Sequence, residues 1–149
     1  MSKITITKAS TGAVQEVAPL FDAYRQFYGN HAGLEGARDF LAERLAKDES
    51  VIFLASEGGH AVGFAQLYPS FSSLSMSPTW ILNDLFVLPA ARGNGVGTAL
   101  LEQCKILATE TGAKELSLET VKTNLTAQRL YEACRWKRDE LFYKYYMTL

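Results

Sequence analysis

The sequence predicts an α/β domain built on a mixed sheet, and three observations carry that reading. A short alternating stretch near the start gives way to two amphipathic helical segments. Two apolar runs are then joined by Glu57-Gly58-Gly59-His60, a hairpin signal. A further strand leads through a glycine-rich turn into a long helix. The predicted element order is β, α, α, β, β, β, α, β, α, β, a sheet that opens antiparallel and turns parallel after its central strand.

Each element has a local reason. Residues 3–8 alternate polar and apolar as a first strand. Thr11 can cap a helix running to about Tyr28, with Val14, Val17, Ala18, Phe21, Tyr24 and Tyr28 on one face. Pro19 falls inside it and is expected to kink or divide it, because proline lacks the amide hydrogen. Residues 35–47 form a second amphipathic helix with Phe40, Leu41 and Leu45 inward. Residues 51–56 and 61–68 are the hairpin strands, and the proline- and serine-rich stretch 69–78 is expected to be a loop. Residues 80–87 form a strand that Pro89 ends. In the helix over 97–111, Leu100, Leu101, Cys104, Leu107 and Ala108 share a face, and Gly112 stands at the C-cap. A strand over 115–121, a short helix over 124–134 and an aromatic strand over 136–147 complete the chain.

The length of 149 residues suits one domain, 1–149, whose core needs no disulfide or metal staple. A formal net charge of -1 gives no electrostatic reason to expect nucleic-acid or membrane binding. Cys104 and Cys134 read as reduced, buried thiols of a cytoplasmic protein. No cysteine or histidine stands at metal-ligand spacing, so no metal site is expected. Met1-Ser2-Lys3-Ile4-Thr5-Ile6 lacks the apolar run of a signal peptide, and no later run is long enough to span a bilayer.

The chemistry is concentrated in Asn83-Asp84-Leu85-Phe86-Val87-Leu88-Pro89 and the subsequent Arg92-Gly93-Asn94-Gly95-Val96-Gly97-Thr98. The first amides of a helix have no internal partner, and with the helix dipole they attract an anion. Glycines let a phosphate approach the backbone, and Arg92 adds positive charge. The pattern predicts a phosphate or pyrophosphate site. A P-loop would need a lysine after its last glycine, but Thr98 follows Gly97. A dinucleotide fingerprint fails in both frames, meeting Thr98 or Leu100 where its third glycine belongs.

The spacing that fits is Arg92-x-x-Gly95-x-Gly97, joined about thirty residues later by Asn124-x-x-Ala127-x-x-Leu130-Tyr131-Glu132. With these motifs and this element order, the chain resembles the GNAT superfamily of N-acetyltransferases over nearly its whole length. Tyr24 to Gly29, Trp80 to Val87 and the aromatic C-terminus look most like the Hpa2-like and diamine acetyltransferase branch. The resemblance implies a mixed sheet of six to seven strands with about four helices on its two faces. It implies transfer of an acetyl group from acetyl-CoA directly to a primary amine, either a small amine or polyamine or a lysine side chain. The cosubstrate would be held by Phe86, Val87 and Leu88 and by Arg92, Gly93, Asn94, Gly95, Val96, Gly97 and Thr98. Asn124 would touch the pantetheine, and Tyr131 would be the acid that protonates the departing thiolate. An oxyanion donor is expected from a backbone amide near Phe86.

The base has three readings. The diamine branch carries a glutamate where this chain has Asn83, which cannot take a proton. Asp84 and Glu119 remain as candidates, and loss of the proton to water is the third. Asn83 also leaves a second function open, a non-catalytic domain that senses acyl-CoA. Arg135 stands where relatives often carry glycine, which implies another cap or local strain. The resemblance and the aromatic C-terminal surface together imply a homodimer.

Overall fold

The computed structural model describes residues 3–149; Met1 and Ser2, the first two residues of the stretch read above for a signal peptide, lie outside the described residues. Two compact units form, Met1–Glu119 and Thr120–Leu149.

The first unit contains β1 (Ile4–Lys8), α1 (Val14–Phe27), α2 (Leu34–Ala46), β2 (Val51–Glu57), β3 (His60–Ser72), β4 (Ser77–Val87), α3 (Val96–Glu110) and β5 (Leu116–Ser117). One five-stranded sheet runs in the order β1-β2-β3-β4-β5. Neighbours are antiparallel through β4, and β5 joins β4 in parallel. The hairpin between β2 and β3 turns on Gly58 and Gly59, at φ 57° and 83°, the two positive values that a two-residue type I′ turn requires.

Residues 51–55 of β2 are buried throughout, because the sheet is covered on both faces. Ile52, Leu54, Phe64 and Phe86 form one cluster with Val17, Phe21 and Leu41 of α1 and α2. Helix α3 lies against the sheet through Val96, Leu100, Leu101 and Cys104. Burial of each such aliphatic side chain contributes about 1.5–3 kcal/mol. Cys104 is buried, and that burial pushes its thiol up to about 12, so it stays an inert core group. Cys134 is only partly buried, contrary to expectation.

Several expectations need correction. The sheet has five strands, not six or seven. A strand exists only beside a hydrogen-bonded neighbour, and among the described residues 136–147 pair with no strand. The expected strand over 115–121 shrinks to Leu116–Ser117. In contrast, β3 and β4 extend well into 69–78, with Pro69 opposite Trp80 and Pro78 opposite Phe71, which leaves only a short connection. Pro19 does not divide α1. It removes one helical bond, while Val17, Ala18, Leu20 and Phe21 around it are buried. Phe40 is 39% exposed rather than inward, although its ring stacks on Phe21 at 5.8 Å.

The second unit contains α4 (Leu125–Ala133). Asn124 caps it, its side-chain oxygen accepting the Ala127 N–H at 3.1 Å. At the other end Arg135 takes φ 71°. Its N–H donates to Glu132 O and the Trp136 N–H to Tyr131 O, the paired bonds of a Schellman motif. The apolar contact that accompanies this motif is Tyr131 against Trp136, ring centroids 6.1 Å apart.

Candidate active site

The site begins with a bulge in β4. Gln66 lies opposite Asp84 and Leu67 opposite Leu82, so Asn83 is an extra residue that re-aims the rest of the strand. Beyond the bulge the Leu88 N–H donates to Val62 O at 2.8 Å. By antiparallel alternation Phe86 also turns its backbone groups to β3, and Leu85 and Val87 turn theirs to the opposite edge. On that edge β5 pairs with Trp80 and Ile81 alone. From Leu82 onward β4 therefore presents an edge that β5 does not cover. Val87 O is already engaged there by Arg92 Nε at 2.9 Å, and the Arg92 guanidinium lies 5.7 Å from the centre of the Phe86 ring. Gly63 makes the close approach behind this segment possible: a Cβ there would lie 2.9 Å from Phe86 O.

The glycine-rich turn comes next. Gly93 and Gly95 hold φ 82° and 85°, the left-handed region that glycine enters without strain. Gly95 is the N-cap of α3 and provides no side-chain cap. The first helical bond runs from the Ala99 N–H to Gly95 O, so the amides of Val96, Gly97 and Thr98 precede the ladder. A Cβ on Gly93 or Gly95 would meet nothing within 4 Å, so the space above the turn is open. Uncapped amides, a helix N-terminus, open space and an arginine fit a pyrophosphate.

Asp84 is 3% exposed on the face that meets α1. Its carboxylate accepts hydrogen bonds from Gln66 Nε2 and from Asn83 Nδ2, the latter at 2.9 Å. Burial raises its pKa above the usual carboxylate range, and hydrogen bonds from Gln66, Asn83 and Tyr24 oppose that rise. The single Tyr24 hydroxyl proton is shared with Asn83 O, 3.1 Å away, which ties the bulge to α1. The Tyr68 phenol is pushed up to about 12 by burial and then by the Asp84 charge. Tyr28 is raised by the same two causes in the same order. The preceding loop is tied to α1 through the buried Asp22, which accepts the Gly33 N–H at 2.9 Å.

Asp84 and the turn Arg92 to Thr98 belong to the first unit. Glu119 is exposed and lies beyond the short β5, not on it. Asn124 and Tyr131 belong to the second unit, where Asn124 caps α4 and Tyr131 stands in its last turn beside Trp136. Sequence reasoning missed Gln66, Tyr24 and Tyr68. A glutamine interrupting the apolar run Gly63-Phe64-Ala65-Gln66-Leu67 was the available signal for the first. Among the described residues no group of three or more histidine, cysteine or acidic side chains could hold a metal.

A five-stranded mixed sheet with a bulged fourth strand, an open strand edge and a glycine-rich helix entry defines an α/β domain whose helix N-terminus suits an anion. The acetyltransferase (GNAT) family matches residues 17–135, and the chain belongs to that family. It is 45% identical to the uncharacterized N-acetyltransferase YhfO of Bacillus subtilis (strain 168) over 98% of both chains. A crystal structure of a probable acetyltransferase superposes with a TM-score of 0.91 at 41% identity, covering 97% of each chain. The fold also matches, at TM-score 0.81 and 22% identity, an aminoglycoside N-acetyltransferase in complex with CoA, covering 100% of this chain and 97% of that one. The protein is an acetyl-CoA-dependent N-acetyltransferase.

Proposed function

We propose that this acetyltransferase moves the acetyl group of acetyl-CoA directly to a primary amine that arrives as a cation. The observation that carries the reading is the buried Asp84, which makes no ion pair with any lysine, arginine or histidine among the described residues. A buried carboxylate without a cationic partner suits a cationic substrate group. Acetyl-CoA supplies the thioester, with its pyrophosphate held by Arg92 and the amides from Gly93 to Thr98. The edge of β4 at Leu85 and Val87 offers backbone groups for the pantetheine arm and an amide for the oxyanion. The Phe86 and Leu88 amides turn to β3, so the donor expected near Phe86 is assigned to these two neighbours.

A lysine-like amine has a pKa of about 10.4 and must lose a proton before it attacks. Asp84 accepts that proton, directly or through water. Its raised pKa makes it a stronger base than an ordinary carboxylate. Glu119, exposed beyond β5, is the second candidate. Tyr131 donates the proton that the departing thiolate needs, and Asn124, whose oxygen is committed to its cap, contributes its Nδ2 to the pantetheine. The acceptor class nearest the Hpa2-like branch is a small amine or polyamine. We further propose a cytoplasmic homodimer; the exposed Phe142, Tyr143, Tyr145 and Tyr146 supply apolar surface for the contact. Light scattering would show twice the monomer mass.

The test is mass spectrometry of the protein with acetyl-CoA and a pooled panel of polyamines, amino acids, aminoglycosides and lysine peptides. An acetylated product that requires the protein names the acceptor. Binding of acetyl-CoA without any product would favour the sensor reading that Asn83 leaves open.

A further inference from the structure

Gln66 is wholly buried in the middle of β3, between Phe64 and Tyr68 on the face that carries Asp84. Its Nε2 donates to Asp84 Oδ2, and its Oε1 has no hydrogen-bond partner among the described residues. A methionine would fill the same space without burying an unpaired carbonyl, an arrangement that costs stability. Packing alone therefore does not explain a glutamine here.

The groups facing Asp84 come from three elements. Tyr24 stands on α1 and Tyr28 at its C-cap, Gln66 and Tyr68 on β3, and Asn83 beside it on β4. Arg44 of α2 acts on Tyr68, lowering its pKa against the larger effect of burial, and makes its own ion pairs with Glu43 and Glu49. The negative charge on Asp84 is thus held by hydrogen bonds, two of them from carboxamides, without a formal cation. A donor N–H bonds a carboxylate more strongly than the neutral acid, so the Gln66 contact favours ionised Asp84.

Resting on the acetyl-transfer reading above, we propose that Gln66 is a positioning residue: it fixes the Asp84 carboxylate and holds it in the ionised form that accepts the amine's proton. The side chain acts through Asp84 and needs no contact with substrate.

The test tracks the Asp84 carboxyl carbon by NMR through a pH titration in the wild type, Gln66→Met and Gln66→Glu. The acid limb of kcat/KM for the acceptor is measured in parallel. Gln66→Met keeps the volume and removes the donor. Its Asp84 midpoint should rise by about one pH unit, a tenfold change in proton affinity. The acid limb should move with it, and activity should recover as pH rises. Gln66→Glu should raise the midpoint further, through a like charge, and serves as the second variant should Gln66→Met fail to fold. An unmoved midpoint in a folded variant overturns the proposal. A raised midpoint with an unmoved acid limb upholds the hold of Gln66 on Asp84 and overturns instead the assignment of Asp84 as proton acceptor.

Discussion

Helices α3 and α4 carry the two motifs of this family, and they begin and end in opposite ways. Helix α3 starts on Gly95, which offers no side-chain cap, and ends on Gly112 at φ 74°. Helix α4 starts on Asn124, whose side chain caps Ala127, and ends on Arg135 at φ 71°. Both C-termini close with the same paired bonds: Gly112 to Thr109 and Ala113 to Ala108 in α3, and Arg135 to Glu132 and Trp136 to Tyr131 in α4. One helix leaves its first amides open and finishes without strain. The other caps the Ala127 amide with a side chain and finishes with strain. The difference fits their proposed tasks. Helix α3 works through its backbone, which must remain available to an anion. Helix α4 works through a side chain, Tyr131, and needs only to hold it.

The comparison can be tested in steps of decreasing size. Tyr131→Phe keeps the ring beside Trp136 and removes the hydroxyl. Steady-state kinetics should show kcat reduced on the order of 100-fold or more, with the melting temperature little changed. An unchanged kcat would leave Tyr131 as a packing residue. Asn124→Ala removes the cap of α4 and should lower stability in urea unfolding by about 1 kcal/mol. If it does not, the cap is not what starts this helix. The two C-termini should respond with opposite signs. Gly112→Ala forces a side chain into the left-handed region and should destabilise by about 1 kcal/mol, although the space around its Cβ is open. Arg135→Gly relieves the corresponding strain and should stabilise by about 0.5–1 kcal/mol. Equal signs for this last pair would contradict the shared cap geometry.

The sequence made the glycine-rich entry to α3 legible because its causes are local. Glycine spacing, a preceding strand and a succeeding helix all lie within residues 83–98. The hairpin at Gly58-Gly59 was legible for the same reason, whereas at Arg135 the sequence left another cap or strain open, and φ 71° gives strain in an ordinary Schellman cap. The C-terminal strand was not, because alternation in 136–147 states a preference for a sheet and cannot supply the neighbour. The extension of β3 and β4 through a proline- and serine-rich stretch was hidden too, since cross-strand pairing overrides local turn signals. Asp84 was legible as a candidate by its place next to the strand end. Its environment was not: Gln66 lies eighteen residues away and Tyr24 sixty, and only the sheet register and α1 bring them together.

The most direct measurement is the affinity for acetyl-CoA, by calorimetry, of the wild type and Thr98→Glu. Thr98 is exposed in the first turn of α3. A carboxylate there suits the helix dipole and should leave the fold as stable or slightly more so. It would also place a negative charge where the pyrophosphate is proposed to sit. The account predicts micromolar-range binding by the wild type, weakened about tenfold or more in the variant, with an unchanged or higher melting temperature. Equal affinities in the two proteins would contradict the placement of the pyrophosphate on α3, and no binding by the wild type would contradict the use of acetyl-CoA itself.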